Sequence, residues 1–199
     1  MKILVVGASG TLGKAITERL GQHHHIISAG RNSGDHRVDL RDDASVAGLF
    51  AAVGRVDALV SAAGSVHFGP LTEMTAAQFD VGLQDKLLGQ IRLALIGQHH
   101  LADGGSITLT TGILAEQPIR LGANATAVNA AVEGFVRAAA CELPRGLRIN
   151  AVSPTVLSEA WDAYADFFPG FEPVPAARAA LAFQRSIEGV QTGQVYKVW

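Results

Sequence analysis

Ile3-Leu4-Val5-Val6-Gly7-Ala8-Ser9-Gly10-Thr11-Leu12-Gly13 is the stretch whose reading decides the fold. Four apolar residues, three of them β-branched, have the length and character of a strand buried on both faces. Three glycines at a spacing of three follow at once, and Lys14 to Leu20 then reads as an amphipathic helix. Strand, glycine turn and helix open a nucleotide-binding βα unit. Gly7 permits the tight turn, Gly10 the close approach of a phosphate to backbone, and Gly13 the packing of helix on strand. The free N–H groups and the positive dipole end of the helix then face a pyrophosphate. The spacing is GxxGxxG rather than GxGxxG, because Ala8 occupies the second slot. A P-loop is excluded, since it requires a glycine at Ala8 and a hydroxyl at Ala15. The competing reading is a glycine-rich turn with no ligand.

Outward from this stretch, composition sets bounds. A chain of 199 residues, 48% hydrophobic, fits one globular domain over 1–199 with a sizeable core. The formal net charge of −2 is scattered, with no basic stripe for nucleic acid and no polybasic cluster for a membrane surface. Cys141 is the one cysteine and forms no internal disulfide, which fits a reducing compartment. The apolar run after Met1-Lys2 stops at a glycine after four residues, too short for a signal peptide. No run approaches the ~20 apolar residues of a membrane span. The expectation is a soluble cytoplasmic protein.

His25 to Ala29 reads as a second strand, ending at Gly30 and followed by Arg31-Asn32-Ser33. An acidic residue that grips an NAD ribose hydroxyl belongs near this strand end; here a guanidinium and a nearby hydroxyl stand instead. Such a pair suits a 2′-phosphate, so NADP(H) is expected over NAD(H). The alternative is that Arg31 is only a solvated loop charge. Too few residues separate Arg31 from Val38-Asp39-Leu40 for a crossover helix, so a third strand there is stunted or reached by a bare loop. Helices are expected from Asp43 to Val53 (capped by Asp42 or Asp43), from Thr75 to about Ala102, from Gly122 to about Leu143, and from Pro175 to about Ile187. Strands are expected at Val56–Ser61, Ser106–Thr111, Arg148–Pro154 and Gln194–Trp199, with short helices or loop between Trp161 and Phe171. Alternating strands and helices predict a Rossmann-type, doubly wound parallel sheet, a three-layer αβα single domain.

The sequence now resembles the short-chain dehydrogenase/reductase family over nearly its full length. The glycine turn is similar to that of less typical members, and Ser61-Ala62-Ala63-Gly64 sits where the family writes Asn-Asn-Ala-Gly. Gly105-Ser106-Ile107, Ala130-Ala131-Val132-Glu133-Gly134-Phe135, Arg148 to Pro154 and Thr192-Gly193-Gln194 match later signatures. The resemblance implies a dinucleotide held by Gly7, Ser9, Gly10, Thr11, Leu12, Gly13, Arg31, Asn32, Ser33, Leu40, Ser61 to Gly64, Lys86 and Pro154, with Asp39 at the adenine. It also implies a homodimer or homotetramer paired through the long helices and last strand.

The catalytic positions depart from the family, which uses an Asn, a Ser, and a Tyr and Lys four apart on one helix face. The phenol is the acid or base at the substrate oxygen, and the cation lowers its pKa. Aligned through neighbouring signatures, the Asn slot is Lys86, the Ser slot Gly112 (one past Thr111), the Tyr slot Ala125 and the Lys slot Asn129. Lys86 adds a cation where the family keeps an amide, and could replace the missing ammonium or itself donate a proton. The competing reading has Lys86 at the surface, snorkelling or paired with Asp85 or Asp80. Thr110 and Thr111 could supply hydroxyls, and Tyr164 could reach in from the segment that covers substrate in the family; His67 is a lone loop histidine. His23-His24-His25 and His99-His100 are expected at helix C-termini rather than on a metal, because adjacent helical histidines point apart. Two functions follow: an NADP(H)-dependent oxidoreductase of a small carbonyl or alcohol with a rearranged acid–base set, or a catalytically inactive NADP(H)-binding redox sensor or partner-binding module.

Overall fold

The structure is a computed structural model describing residues 1–199. Its central strand is β1 (Lys2–Val6), in which Ile3 to Val6 are at most 1% exposed. Successive side chains point to opposite faces, so Ile3 and Val5 serve one core and Leu4 and Val6 the other. Around β1 lie β2 (His25–Gly30), β3 (His36–Arg37), β4 (Val56–Ser61), β5 (Leu101–Thr110), β6 (Arg148–Pro154) and β7 (Val195–Val198). They form one parallel sheet in the order β3-β2-β1-β4-β5-β6-β7. The order reverses beside β1, which opens a crevice at the carboxyl ends of β1 and β4.

Helices cover both faces. On one face Ile16 and Leu20 of α1 (Thr11–Gly21) and Phe183 of α7 (Ala176–Glu188) pack on Ile3, Val5, Ala58 and Val60. On the other, Phe50 of α2 (Asp43–Val53), Leu93 of α4 (Gly89–Gly97) and Val136 of α5 (Ala123–Glu142) pack on Leu4, Val6 and Leu59. The doubly wound architecture is as the sequence predicts.

Local details differ. The third strand is only His36–Arg37, one step before Val38, and pairs with Ala29 and Gly30. The Asp35 carboxylate folds the short link back by accepting from the Ser28 amide at 2.9 Å and the Ser28 hydroxyl at 2.7 Å. The helix expected to reach Ala102 ends sooner. It runs as α3 (Ala76–Gly82), a π-helical turn (Leu83–Leu88) and α4, closes with a 3₁₀ turn at Gln98–His100, and gives way to β5 at Leu101. A register shift between Val56 and Ala58 absorbs the extra residues of β5. His25 lies in β2 rather than at a helix end. His24 meets Glu188 at 2.9 Å, and the His100 ring stacks on Phe50. A short α6 (Trp161–Tyr164) leads the segment over the sheet's carboxyl edge.

Asp42 caps α2, its carboxylate accepting from the Ala44 amide at 2.9 Å. Asp42→Ala leaves that amide without a partner and is expected to cost about 1 kcal/mol in urea-unfolding free energy.

Candidate active site

The turn between β1 and α1 is shaped by backbone crowding. Gly7 has φ +87, and a Cβ there would lie 2.7 Å from the Ala62 carbonyl. A Cβ on Gly13 would overlap the Gly7 carbonyl oxygen and lie 2.8 Å from Ala8 Cα, so only glycine lets α1 approach β1 this closely. Gly10 caps α1 without a side-chain hydrogen bond. The first helical bond is donated by Lys14 to Gly10, which leaves the Thr11, Leu12 and Gly13 amides without an acceptor in the chain. Three free donors at a positive dipole end make an anion site.

A groove of about 320 Å³ runs from this turn. It gathers the anticipated Gly7, Ser9, Gly10, Arg31, Asn32, Ser33, Leu40, Ala62, Ala63 and Gly64, and adds Gly30, Val38, Ser65 and Asp85, which the sequence did not mark. The Ser33 hydroxyl donates to Ser9 Oγ at 2.7 Å, joining the two loops. Arg31 is no mere solvated charge: its Nη2 reaches Asp85 Oδ1 at 2.8 Å. Asp85 Oδ2 accepts from the Ser65 amide at 3.0 Å. Asp85 is the one acid lining the groove. Free helix amides, a glycine cradle and a cation at the end of β2 fit a phosphorylated dinucleotide.

Some expected cofactor residues stand elsewhere. Asp39 does not line the groove; Arg41, two residues on, holds its carboxylate through Nε at 3.2 Å and Nη2 at 3.0 Å. Those bonds bring the Asp39 pKa down to about 2. The Ser61 hydroxyl is buried in the sheet and unpartnered. Lys86 and Pro154 line a neighbouring cavity instead.

That cavity, of about 250 Å³, is walled by residues that include Phe68, Lys86, Thr111, Ala125, Asn129, Pro154, Thr155, Tyr164 and Phe168, with no acid among its lining residues. The π-helical turn explains its cation. Widening the helix by one residue per turn re-aims the side chains, so that Asp85 faces the groove and its neighbour Lys86 the cavity. Lys86 makes no hydrogen bond or ion pair. Asp85 is committed to Arg31 and Ser65, and Asp80 accepts from Gln84 at 3.1 Å. Surface pairing of Lys86 is therefore overturned. Burial lowers its pKa from 10.5 to about 8, since little around it offsets the loss of water.

The other candidates divide. Ala125 is buried against Ile113, Leu114, Val156 and Phe168, and its methyl has no proton to transfer. Asn129 Oδ1 and Thr155 Oγ1 are buried without partners at the cavity wall. Thr110 donates to the Ser61 carbonyl inside the sheet and does not line the cavity. Thr111 lines it, but its hydroxyl donates to Glu133 Oε1 at 3.1 Å and is turned to the helix behind. Burial raises the Glu133 pKa. Tyr164 lines the cavity mouth with its ring tilted on Phe68 at 6.0 Å, half-exposed. The His67 amide donates to Asn124 Oδ1 at 2.9 Å, and Asn124 Nδ2 donates to the Phe79 carbonyl at 2.7 Å. That tie of α3 to α5 went unread, although Gly82 marks it: a Cβ on Gly82 would overlap the Asn124 amide.

Comparison with known proteins agrees with this fold. The family model described as Enoyl-(Acyl carrier protein) reductase matches residues 11–195. D-threitol dehydrogenase of Mycolicibacterium smegmatis is 30% identical over 189 residues, covering 80% of this chain and 73% of that protein. The chain spans 40% and 35% of the length of the first curated relatives it matches. The protein lin1944 from Listeria innocua is 53% identical, with TM-score 0.99 and full coverage of both chains. A small-chain dehydrogenase crystallised with NADPH is 27% identical, with TM-score 0.88 over 100% of this chain and 96% of that one. Sheet order, glycine turn and family match together place the chain in the short-chain dehydrogenase/reductase family of oxidoreductases.

Proposed function

We propose that the chain is an NADP(H)-dependent oxidoreductase of small, largely apolar carbonyls or alcohols, with Lys86 as the proton donor and acceptor. One observation carries this reading: a lysine with no counter-ion, its pKa about 8, on the wall of an apolar cavity beside the dinucleotide groove. A general acid works best with a pKa near the operating pH. The structural neighbour crystallised with NADPH supports the cofactor class, and Arg31 at the end of β2 supports the 2′-phosphate.

When bound, the cofactor supplies or accepts the hydride. The Thr11, Leu12 and Gly13 amides hold its diphosphate, and Arg31 attracts the 2′-phosphate. Phe68, Phe168 and Tyr164 enclose the substrate's apolar body and exclude water. In reduction, Lys86 donates one proton to the carbonyl oxygen as that carbon becomes an alcohol; in oxidation, its neutral amine takes that proton back.

The test is absorbance loss at saturating NADPH over a panel of ketones and aldehydes, beside NADH. Reduction depends on protonated Lys86, so kcat/KM is expected to fall above a pH of about 8, while alcohol oxidation rises through the same pH. Tight NADPH binding with no turnover on any carbonyl would favour the redox-sensor reading, for which loss of the Tyr and Ser slots to Ala125 and Gly112 is the supporting observation.

A further inference from the structure

Arg31 and Asp85 are 54 residues apart in sequence and meet across the groove at 2.8 Å. Arg31 comes from the end of β2 and Asp85 from the π-helical turn, so the pair spans the groove that the glycine turn opens. The side chains differ in burial: Arg31 is 50% exposed and Asp85 12%. The acid is anchored, its second oxygen accepting from the Ser65 amide, whereas the guanidinium is the more exposed half with no second acceptor.

We propose that Asp85 is a determinant of cofactor discrimination, an internal anion that occupies Arg31 and that a 2′-phosphate must displace. The inference rests on the dinucleotide reading of the groove. A carboxylate and a phosphate offer a guanidinium the same kind of charge-assisted, forked acceptor, and one guanidinium cannot give its best geometry to both. Asp85 also stands as the one acid in a groove meant for an anion, and repels a phosphate while Arg31 is drawn away. A cofactor ending in a plain ribose hydroxyl recruits no guanidinium and carries less charge, so it meets a smaller penalty. The chain therefore holds its preference for the phosphorylated cofactor below what Arg31 alone would give.

The same geometry fixes the choice of variant. Asp85→Asn removes the charge but keeps an amide oxygen that accepts from Ser65, so the loop after β4 stays attached to the turn. Asp85→Ala would release both contacts at once and is the poorer test.

The experiment is direct titration of the purified full chain with NADPH, NADH and 2′,5′-ADP, read by calorimetry and independent of turnover. Asp85→Asn is expected to tighten NADPH and 2′,5′-ADP about 3–10-fold, with NADH changed less than twofold. Arg31→Ala is expected to weaken NADPH and to remove most of the Asp85→Asn gain in the double variant. An unchanged NADPH-to-NADH ratio in Asp85→Asn, or a gain undiminished without Arg31, overturns the competition while leaving the dinucleotide reading intact. Absence of heat with all three ligands overturns both.

Discussion

Lys86→Met is expected to lower kcat/KM for carbonyl reduction by about 10²–10⁴ and yet to stabilise the protein. The two effects have one cause. On the proposed reading the ammonium serves a reaction rather than the fold, since it has no acid on the cavity wall and no hydrogen bond. At pH 7 the folded chain keeps a charge that its surroundings disfavour, while the unfolded chain keeps it in water. A fall in pKa from 10.5 to about 8 corresponds to roughly 3 kcal/mol at most. The side chain is partly open to the cavity, so about 1–2 kcal/mol is the expected gain for methionine, unbranched, neutral and one atom shorter. The sign of the pH dependence follows. Below the folded pKa both states bind the proton and the full penalty is present. Between about 8 and 10.5 only the unfolded chain still binds it, so wild-type stability rises with pH. The advantage of Lys86→Met should therefore shrink across that window and vanish above it. Urea unfolding at pH 7 and pH 10, beside NADPH turnover, reads all three. A variant that is less stable at pH 7 and loses activity in proportion would make Lys86 a packing residue.

How far the site was legible depends on whether its parts are local in sequence. The β1–α1 turn was readable because strand character, glycine spacing and helix follow one another within twenty residues. The widened turn at Leu83–Leu88 was not, since a shift of backbone bonding from i+4 to i+5 over six residues is too short for a change of hydrophobic period to stand out. Without that turn, Lys86 was placed in groove and cavity together, and Asp85 was noticed only as a surface partner. Arg31 is legible in sequence as a cation at the end of β2, yet its partner lies 54 residues away and no local rule pairs them. Asp39 shows the reverse case. The resemblance assigns it to the adenine by position, and the fold adds a contact that the resemblance does not carry, the guanidinium of Arg41 two residues along on its carboxylate. The late start given to β5 has a similar origin. Asp103-Gly104-Gly105 looks like a loop, and in the fold it is an irregular stretch of strand beside the register shift.

Gly13→Ala and Gly10→Ala should part folding from binding, although both touch one turn. At Gly13 the added methyl would overlap the Gly7 carbonyl oxygen and press on Ala8 Cα at 2.8 Å, both of them backbone. Backbone has no rotamer to escape into, so α1 must move off the sheet. Ile16 and Leu20, now at most 1% exposed, move with it. The expected cost is about 3 kcal/mol, the upper part of the range for overpacked sites, with NADPH binding lost as well. At Gly10 a Cβ lies 3.5 Å from the Gly7 oxygen, an ordinary contact. The backbone there, φ −72 and ψ 169, is one that alanine adopts freely. The fold should lose less than about 1 kcal/mol, the difference between glycine and alanine at a helix cap. Yet a side chain at an N-cap leans toward the N2 and N3 amides, here the free Leu12 and Gly13 N–H groups, where a diphosphate would settle. NADPH affinity should fall at least about tenfold, a loss of roughly 1.4 kcal/mol of binding with the fold intact. Urea midpoints and calorimetric titration of the two variants give a two-by-two outcome. If Gly10→Ala bound NADPH as tightly as wild type, those amides would not be where the phosphates rest, and the anion site at the head of α1 would be a product of packing alone.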